Sequence, residues 1–242
     1  MIGALQKIST ALKSTQTPTT YNASLPILIK VLAKLKGDMY LLQIGTQKIE
    51  TKSYKPLHIG ERYWGEMGRS SIGHIALKNL IAQPKIMEMF FDAPLKFSLQ
   101  NLQEMGEKSD IFEGFRDFLS YKLAEAKSRE EFIFLSHLLL GLKHGVLSLV
   151  IDEKNEVLQM KRYGTNKVRF SAIMPLLGIV EGEIGVHKEG NTLDMKVLYQ
   201  STKTLLEQNL NKLKGFKIGK ISINTHLSPF YEYKEALLDV RG

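Results

Sequence analysis

The sequence predicts an α+β protein built from an N-terminal small β-rich, barrel-like module, a middle helical segment, and a C-terminal antiparallel sheet with one packed helix. Three observations carry this. Short apolar runs separated by glycine turn signals fill residues 25–67. Apolar positions then shift to spacings of three and four through residue 142. From Val146 the period returns to two, interrupted once by a leucine stripe at Leu205, Leu206, Leu210 and Leu213.

Residues 1–24 read as a flexible N-terminus. Ile2, Leu5, Ile8 and Leu12 make one weak apolar stripe, and the stretch 14–24 is polar and rich in Ser and Thr, as a linker would be. The opening segment has no long apolar core and no small-residue cleavage site, so it does not read as a Sec signal peptide. No apolar run approaches the ~18–20 residues that span a bilayer.

Residues 25–73 form the β-rich module. Gly37–Asp38 and Gly45–Thr46 separate alternating runs, 56–60 is a corner, and 62–67 is a further strand. The glycines between Gly65 and Gly73 are not in the order of a phosphate loop, because neither Gly-Lys-Ser/Thr nor GxGxxG occurs.

Residues 74–144 read as helical. Ile75, Leu77, Leu80 and Ile81 precede Pro84, and Ile86, Met89 and Phe90 follow it. Ser109–Asp110 is an N-cap for the stripe Ile111, Phe112, Phe115, Phe118, Leu119 and Leu123. Ser128 with Glu131 is a capping box that opens a nearly all-round apolar helix, and Gly145 stops it. The Phe and Met stripe reads as core.

Residues 145–226 form the C-terminal unit. Two strands flank a turn at 153–155, and a third runs from Lys167 to Met174. Pro175–Gly178 is a break, and 188–191 is a hairpin turn between the strands 179–187 and 192–198. A helix spans 201–214, capped by Ser201 or Thr202, and the last strand is 216–224. Residues 227–242 are a tail. Pro229, Phe230, Tyr231 and Tyr233 suit either a segment laid across an apolar groove or a solvated end.

The chain has 242 residues, 43% hydrophobic and 24% charged, and no cysteine, which excludes disulfides, thiolate metal sites and a cysteine nucleophile. Net charge is +8, but Lys7, Lys13, Lys30, Lys34 and Lys36 fall in the first 36 residues with no acid among them, so the remainder is nearly balanced. None of the six histidines stands in HExxH or HxH spacing, and GxSxG is absent. His137 and His144 lie two turns apart, about 10 Å, which is too far for one metal. His137 reads as a core histidine. Glu181 and Glu183 share a strand face without a sugar-stacking cleft. The reading is therefore non-enzymatic, with no cofactor, no metal and no small-molecule substrate. Lys161–Arg169 forms a basic hairpin, which leaves a nucleic-acid-binding or regulatory module as the alternative.

The stretch from Met174 to Asn224 resembles the C-terminal domain of flagellar hook-length control proteins. The resemblance rests on the Pro-x-x-Gly-x-Val opening at Pro175–Val180, the alternating strand pair within 181–198, the leucine helix ending at Gly215, and the final strand. Asp239–Val240 matches a dipeptide near the family's end. Unlike a hook-length gauge, this chain has only about two dozen polar residues at its start, so it is similar to a shorter relative. The resemblance implies an adaptor of the flagellar type III export apparatus that binds the cytoplasmic domain of the export-gate switch protein. It implies a cytoplasmic location, at the flagellar base, or export. The expected partner-binding residues are Pro175, Leu176, Leu177 and Gly178. Pro175 and Gly178 fix a bend, and the two leucines either turn outward to dock or face the core.

Overall fold

The computed structural model describes residues 6–7, 20–21, 25–69, 75–98, 100–101, 104, 110–152 and 156–233. The following expectations lie outside these residues: the N-terminal stripe, most of the polar linker, Ser70–Ser71, His74, Ser109, the turn at 153–155, and Asp239–Val240. Within the linker, β2 (Thr20–Tyr21) is described and pairs with β1 (Gln6–Lys7). The chain divides into two compact units, and the class is α+β.

The first unit takes residues 1–83 together with two later returns of the chain, 175–178 and 199–206. Its sheet contains β3 (Ile27–Lys34), β4 (Met39–Ile44), β5 (Gln47–Lys52), β6 (Arg62–Arg69) and β7 (Ile75–Ala82), in the order β5-β4-β3-β6-β7, all antiparallel. Among the described residues no ladder joins β5 to β7, so the sheet keeps two edges. Ile29, Val31, Tyr40, Leu42, Ile44 and Ile49 form the core. Alternation puts these side chains on one face, where burial of each stabilises the unit by about 1.5–3 kcal/mol. The phenol oxygens of Tyr40 and Tyr63 accept the backbone N–H groups of Leu57 and His58, which pins the corner 56–60.

Two expectations fail in this unit. Ile75–Ala82 is a strand, not a helix, so the unit runs to Gln83 rather than ending near residue 73. Its ladder to β6 slips between Trp64↔Ile81 and Glu66↔Lys78, where β7 carries one extra residue. Asn79 takes a left-handed φ of 53° at this bulge, a conformation Asn tolerates better than most residues. The extra residue changes the phase of the alternation, so Leu77 and Leu80 both reach the core at a spacing of three. That spacing imitates a helix. β6 runs as far as Arg69, two residues beyond the expected strand 62–67.

The second unit takes residues 84–174, 179–198 and 207–242. Its helices are α1 (Ile86–Met89), α2 (Ile111–Ala124) and α3 (Arg129–Lys143). Both expected caps are present. The Asp110 carboxylate accepts from the N–H groups of Phe112 and Glu113, and the Ser128 hydroxyl accepts from Glu131. The Glu131 carboxylate returns to the N–H of Lys127, one residue earlier than a strict capping box would place it. Phe90, Phe115, Leu119, Phe134, Leu135 and Leu138 are buried, as a core stripe requires.

The six-stranded sheet comprises β8 (Leu147–Ile151), β9 (Glu156–Arg162), β10 (Lys167–Met174), β11 (Gly178–Gly185), β12 (Asn191–Val197) and β13 (Phe216–Ile223), in the order β13-β12-β11-β10-β9-β8. The sheet is not wholly antiparallel as expected, because β12 and β13 run parallel. The helix between them returns the chain to the starting end of β12, and such a crossover requires parallel strands. That helix, α4 (Gln200–Gln208), is shorter than the expected 201–214. It stops before Asn209, whose backbone is not helical, and a 3-10 turn at Leu210–Lys212 follows.

Candidate functional site

Pro175–Gly178 joins β10 to β11 and belongs to the first unit, where five side-chain hydrogen bonds surround it. Trp64, the single tryptophan of the chain, is fully buried on β6, and its indole N–H donates to the Pro175 carbonyl at 3.0 Å. The buried Thr202 hydroxyl on α4 donates to the Leu177 carbonyl at 3.0 Å. The Tyr199 phenol donates to the Asn79 carbonyl at 3.1 Å, at the β7 bulge. The Glu66 carboxylate accepts from Ser201 through one oxygen (2.9 Å) and from the Asn79 side chain through the other (2.7 Å).

Four of these bonds are sheltered from water, the Asn79–Glu66 pair being exposed, and leaving one of the four unmade would cost about 1–3 kcal/mol. Two carbonyls of the turn, those of Pro175 and Leu177, are thus held by donors from β6 and α4. Gly178 closes the turn at φ 78°, which L side chains rarely adopt. Burial pushes the Tyr199 phenol well above its ordinary value and the Glu66 charge adds to this, so the phenol stays a donor.

The consequence for the expected docking residues is asymmetric. Leu176 is 63% exposed, a large apolar side chain on a fixed turn. Leu177 and Pro175 are half-buried, and Gly178 is buried. The expected helix caps Ser201 and Thr202 are not caps. Both lie inside α4 and spend their hydroxyls on Glu66 and Leu177. Trp64, Glu66, Asn79 and Tyr199 were not legible as parts of this arrangement. The only sequence signal was a lone Trp on a strand followed by Gly65, whose missing side chain leaves room for Leu80 and Ile29.

The other candidates separate. Glu181 accepts from Arg169 and lies 3.9 Å from Lys196, while Glu183 accepts from Lys167 at 2.6 Å. The Glu183 hydrogen bond holds the Lys167 ammonium above its ordinary value. These carboxylates are ion-paired across strands and do not face each other as an acid–base couple. Arg162 bonds the cap residue Asp110 at 2.7 Å and pulls its carboxyl below the usual range. Lys161 sits 4.2 Å over the Phe230 ring. The basic hairpin thus has its cations engaged within the protein.

His137 is buried, and His58, His144, His187 and His226 are exposed. Among the described residues no three His, Asp or Glu side chains converge on a metal position. A cavity of about 310 Å³ lies among Leu95, Phe97, Ile111, Phe115 and Phe118, with Lys96, Asn101 and Glu104. Among the described residues, its lining carries no hydroxyl or imidazole. No described helix is long and apolar enough to cross a membrane. No family model matches the chain, and neither a curated protein nor a solved structure matches it.

Proposed function

We propose that the chain is a non-enzymatic adaptor of the flagellar type III export apparatus, docking on the cytoplasmic domain of the export-gate switch protein. The observation that carries this reading is Leu176, exposed on a turn whose carbonyls are fixed by Trp64 and Thr202. A rigid apolar knob loses little conformational entropy on binding, which is the economy a docking residue requires. The order of elements through the resembling stretch adds support: a strand, the Pro175–Gly178 turn, a strand pair, a helix and a last strand. In this reading the five-stranded unit is a small barrel-like scaffold for the turn, and the protein works in the cytoplasm, at the flagellar base, or after export. Pro175, Leu176, Leu177 and Gly178 form the contact. The internally paired cations of 161–169 weigh against nucleic acid as the partner.

The test is a titration of the full chain with the purified cytoplasmic domain of the switch protein, followed by intrinsic fluorescence or calorimetry. The expected result is saturable binding that weakens at least tenfold in Leu176→Asp. A folded chain that shows no binding at about 100 µM partner, weaker than roughly 5 kcal/mol of association, removes the reading.

A further inference from the structure

In the second unit a buried side chain of the sheet holds the main chain of a segment that follows the last strand. Ser148 on β8, Gln159 on β9 and Ser171 on β10 are direct register partners, so they form one polar rung across three strands. All three have no exposure to solvent. A buried polar row in a sheet core is costly unless it has a purpose, since apolar residues there would pack without a desolvation penalty. Gln159 supplies the purpose. Its side-chain carbonyl accepts from the N–H of Tyr231 at 3.2 Å, and its amide donates to the Tyr231 carbonyl at 2.8 Å. A second donation reaches the Ser148 hydroxyl at 3.2 Å. One side chain therefore reads both main-chain groups of a single extended residue, as a neighbouring strand would.

The side chains of this segment are read as well. The Phe230 ring lies under Lys161 and Arg169, the rung next to Gln159 on the same face. Tyr231 stacks on His144 with ring centroids 5.2 Å apart. Tyr233 is buried against Phe90 and His137. It enters a notch left by Gly141 in the last turn of α3, where a β-carbon would stand 3.2 Å from both the Tyr233 hydroxyl and the Val146 carbonyl. The fit is incomplete beneath the segment. His137 Nδ1 and Ser171 Oγ have no hydrogen-bond partner among the described residues, although both are buried. Water would satisfy both groups if the segment lifted.

We propose that Leu227–Tyr233 is a releasable strap bound as an internal peptide ligand, and that the groove beneath it takes an extended peptide with aromatic residues at the first and third positions beside the Gln159 clamp. The segment follows the last strand and contributes no strand to the sheet, so its departure leaves every ladder intact. The chemistry recognised is main chain plus the rings at positions 231 and 233, with an outward-facing residue between them, here the exposed Glu232, and a flanking ring at Phe230 under the two cations.

The experiment uses the full chain. In the double variant Tyr231→Ala/Tyr233→Ala the strap keeps its backbone but loses both anchors. A fluorescein-labelled peptide with the sequence of residues 226–233 is titrated into this variant and into the unaltered protein and followed by anisotropy. The expected result is saturable binding to the variant, at least tenfold tighter than to the unaltered chain, and loss of that binding when Gln159→Leu is added. A folded variant that does not bind the peptide overturns the proposal, as does binding that ignores Gln159→Leu. Should the variant not fold, amide exchange of the unaltered protein decides. Exchange of the Tyr231 N–H at least a hundredfold faster than that of Leu158, and insensitive to low denaturant, supports a strap. Exchange at one rate with the sheet makes the segment ordinary core and ends the proposal.

Discussion

The indole N–H of Trp64 donates to the carbonyl of Pro175 across 111 residues of sequence. That bond fixes one end of the turn carrying Leu176, and the Thr202 bond to Leu177 fixes the other. Trp64→Phe keeps an aromatic ring on β6 but leaves the Pro175 carbonyl without its donor. It should lower stability by about 1–3 kcal/mol, the cost of an unsatisfied group in a partly buried site. Urea unfolding read by circular dichroism checks the loss, and amide exchange should localise it to residues 175–178 and the start of α4.

Leu176 and Leu177 are neighbours with opposite expected behaviour. Leu176→Asp places a charge where the side chain is already exposed, so stability should change by no more than an ordinary surface substitution allows, about 0.5 kcal/mol. Leu177→Asp buries part of a carboxylate and should cost about 1–3 kcal/mol. Thermal melts of the two variants side by side separate these outcomes. Equal destabilisation would show that the turn is core throughout.

The Arg169–Glu181 pair is largely sheltered, with side-chain exposures of 23% and 12%. Glu181→Gln leaves the guanidinium without its counter-charge and should cost about 1–3 kcal/mol, less than a fully buried pair because part of each group meets water. The exposed Arg116, paired with Glu113 and Asp117 on α2, should tolerate Arg116→Ala within about 0.5 kcal/mol. Repeating both melts at high salt should erase what little the second substitution costs and leave most of the first.

Burial holds the His137 imidazole below its ordinary value near 6.5, because a charge there would lose its hydration. The unfolded chain therefore binds a proton more readily than the folded one. The stability contributed by a neutral His137 is complete above about pH 6.5 and is lost as pH falls, by up to about 1.4 kcal/mol per pH unit until the folded form also protonates. His137→Phe should flatten that part of the profile. Denaturant midpoints measured from about pH 7.5 down to 5 in both proteins test it, since the other histidines are common to both.

What could be read in the sequence was local. Asp110, Ser128 and Gly145 mark helix ends through bonds and dihedrals spanning a few residues, and the structure has all three. The hairpin before Asn191 and the strands around it were legible for the same reason. The β7 strand was not, because the bulge at Asn79 turned a period of two into a mixed spacing that favours a helix on paper. Ser201 and Thr202 look like caps to a local reading. Their partners are 135 and 25 residues away, so only the tertiary fold reveals what they bond. The turn at Pro175–Gly178 was visible as a bend, but nothing nearby in sequence names Trp64 as its anchor.

The discontinuity of the first unit has a consequence for the order of events during synthesis. The five strands of its main sheet have all left the ribosome once Ala82 has, yet the acceptors and donors that complete the unit, at Pro175, Leu177, Tyr199 and Thr202, are translated long afterwards. At about 5–20 residues per second the interval is several seconds to tens of seconds. Through that time Trp64 and the bulge at Asn79 lack their final partners. The ladders of the sheet close among residues 27–82, but the bonds that cover Trp64 and the bulge wait for residues 175–202, and a translation stall before Thr202 leaves them unmade.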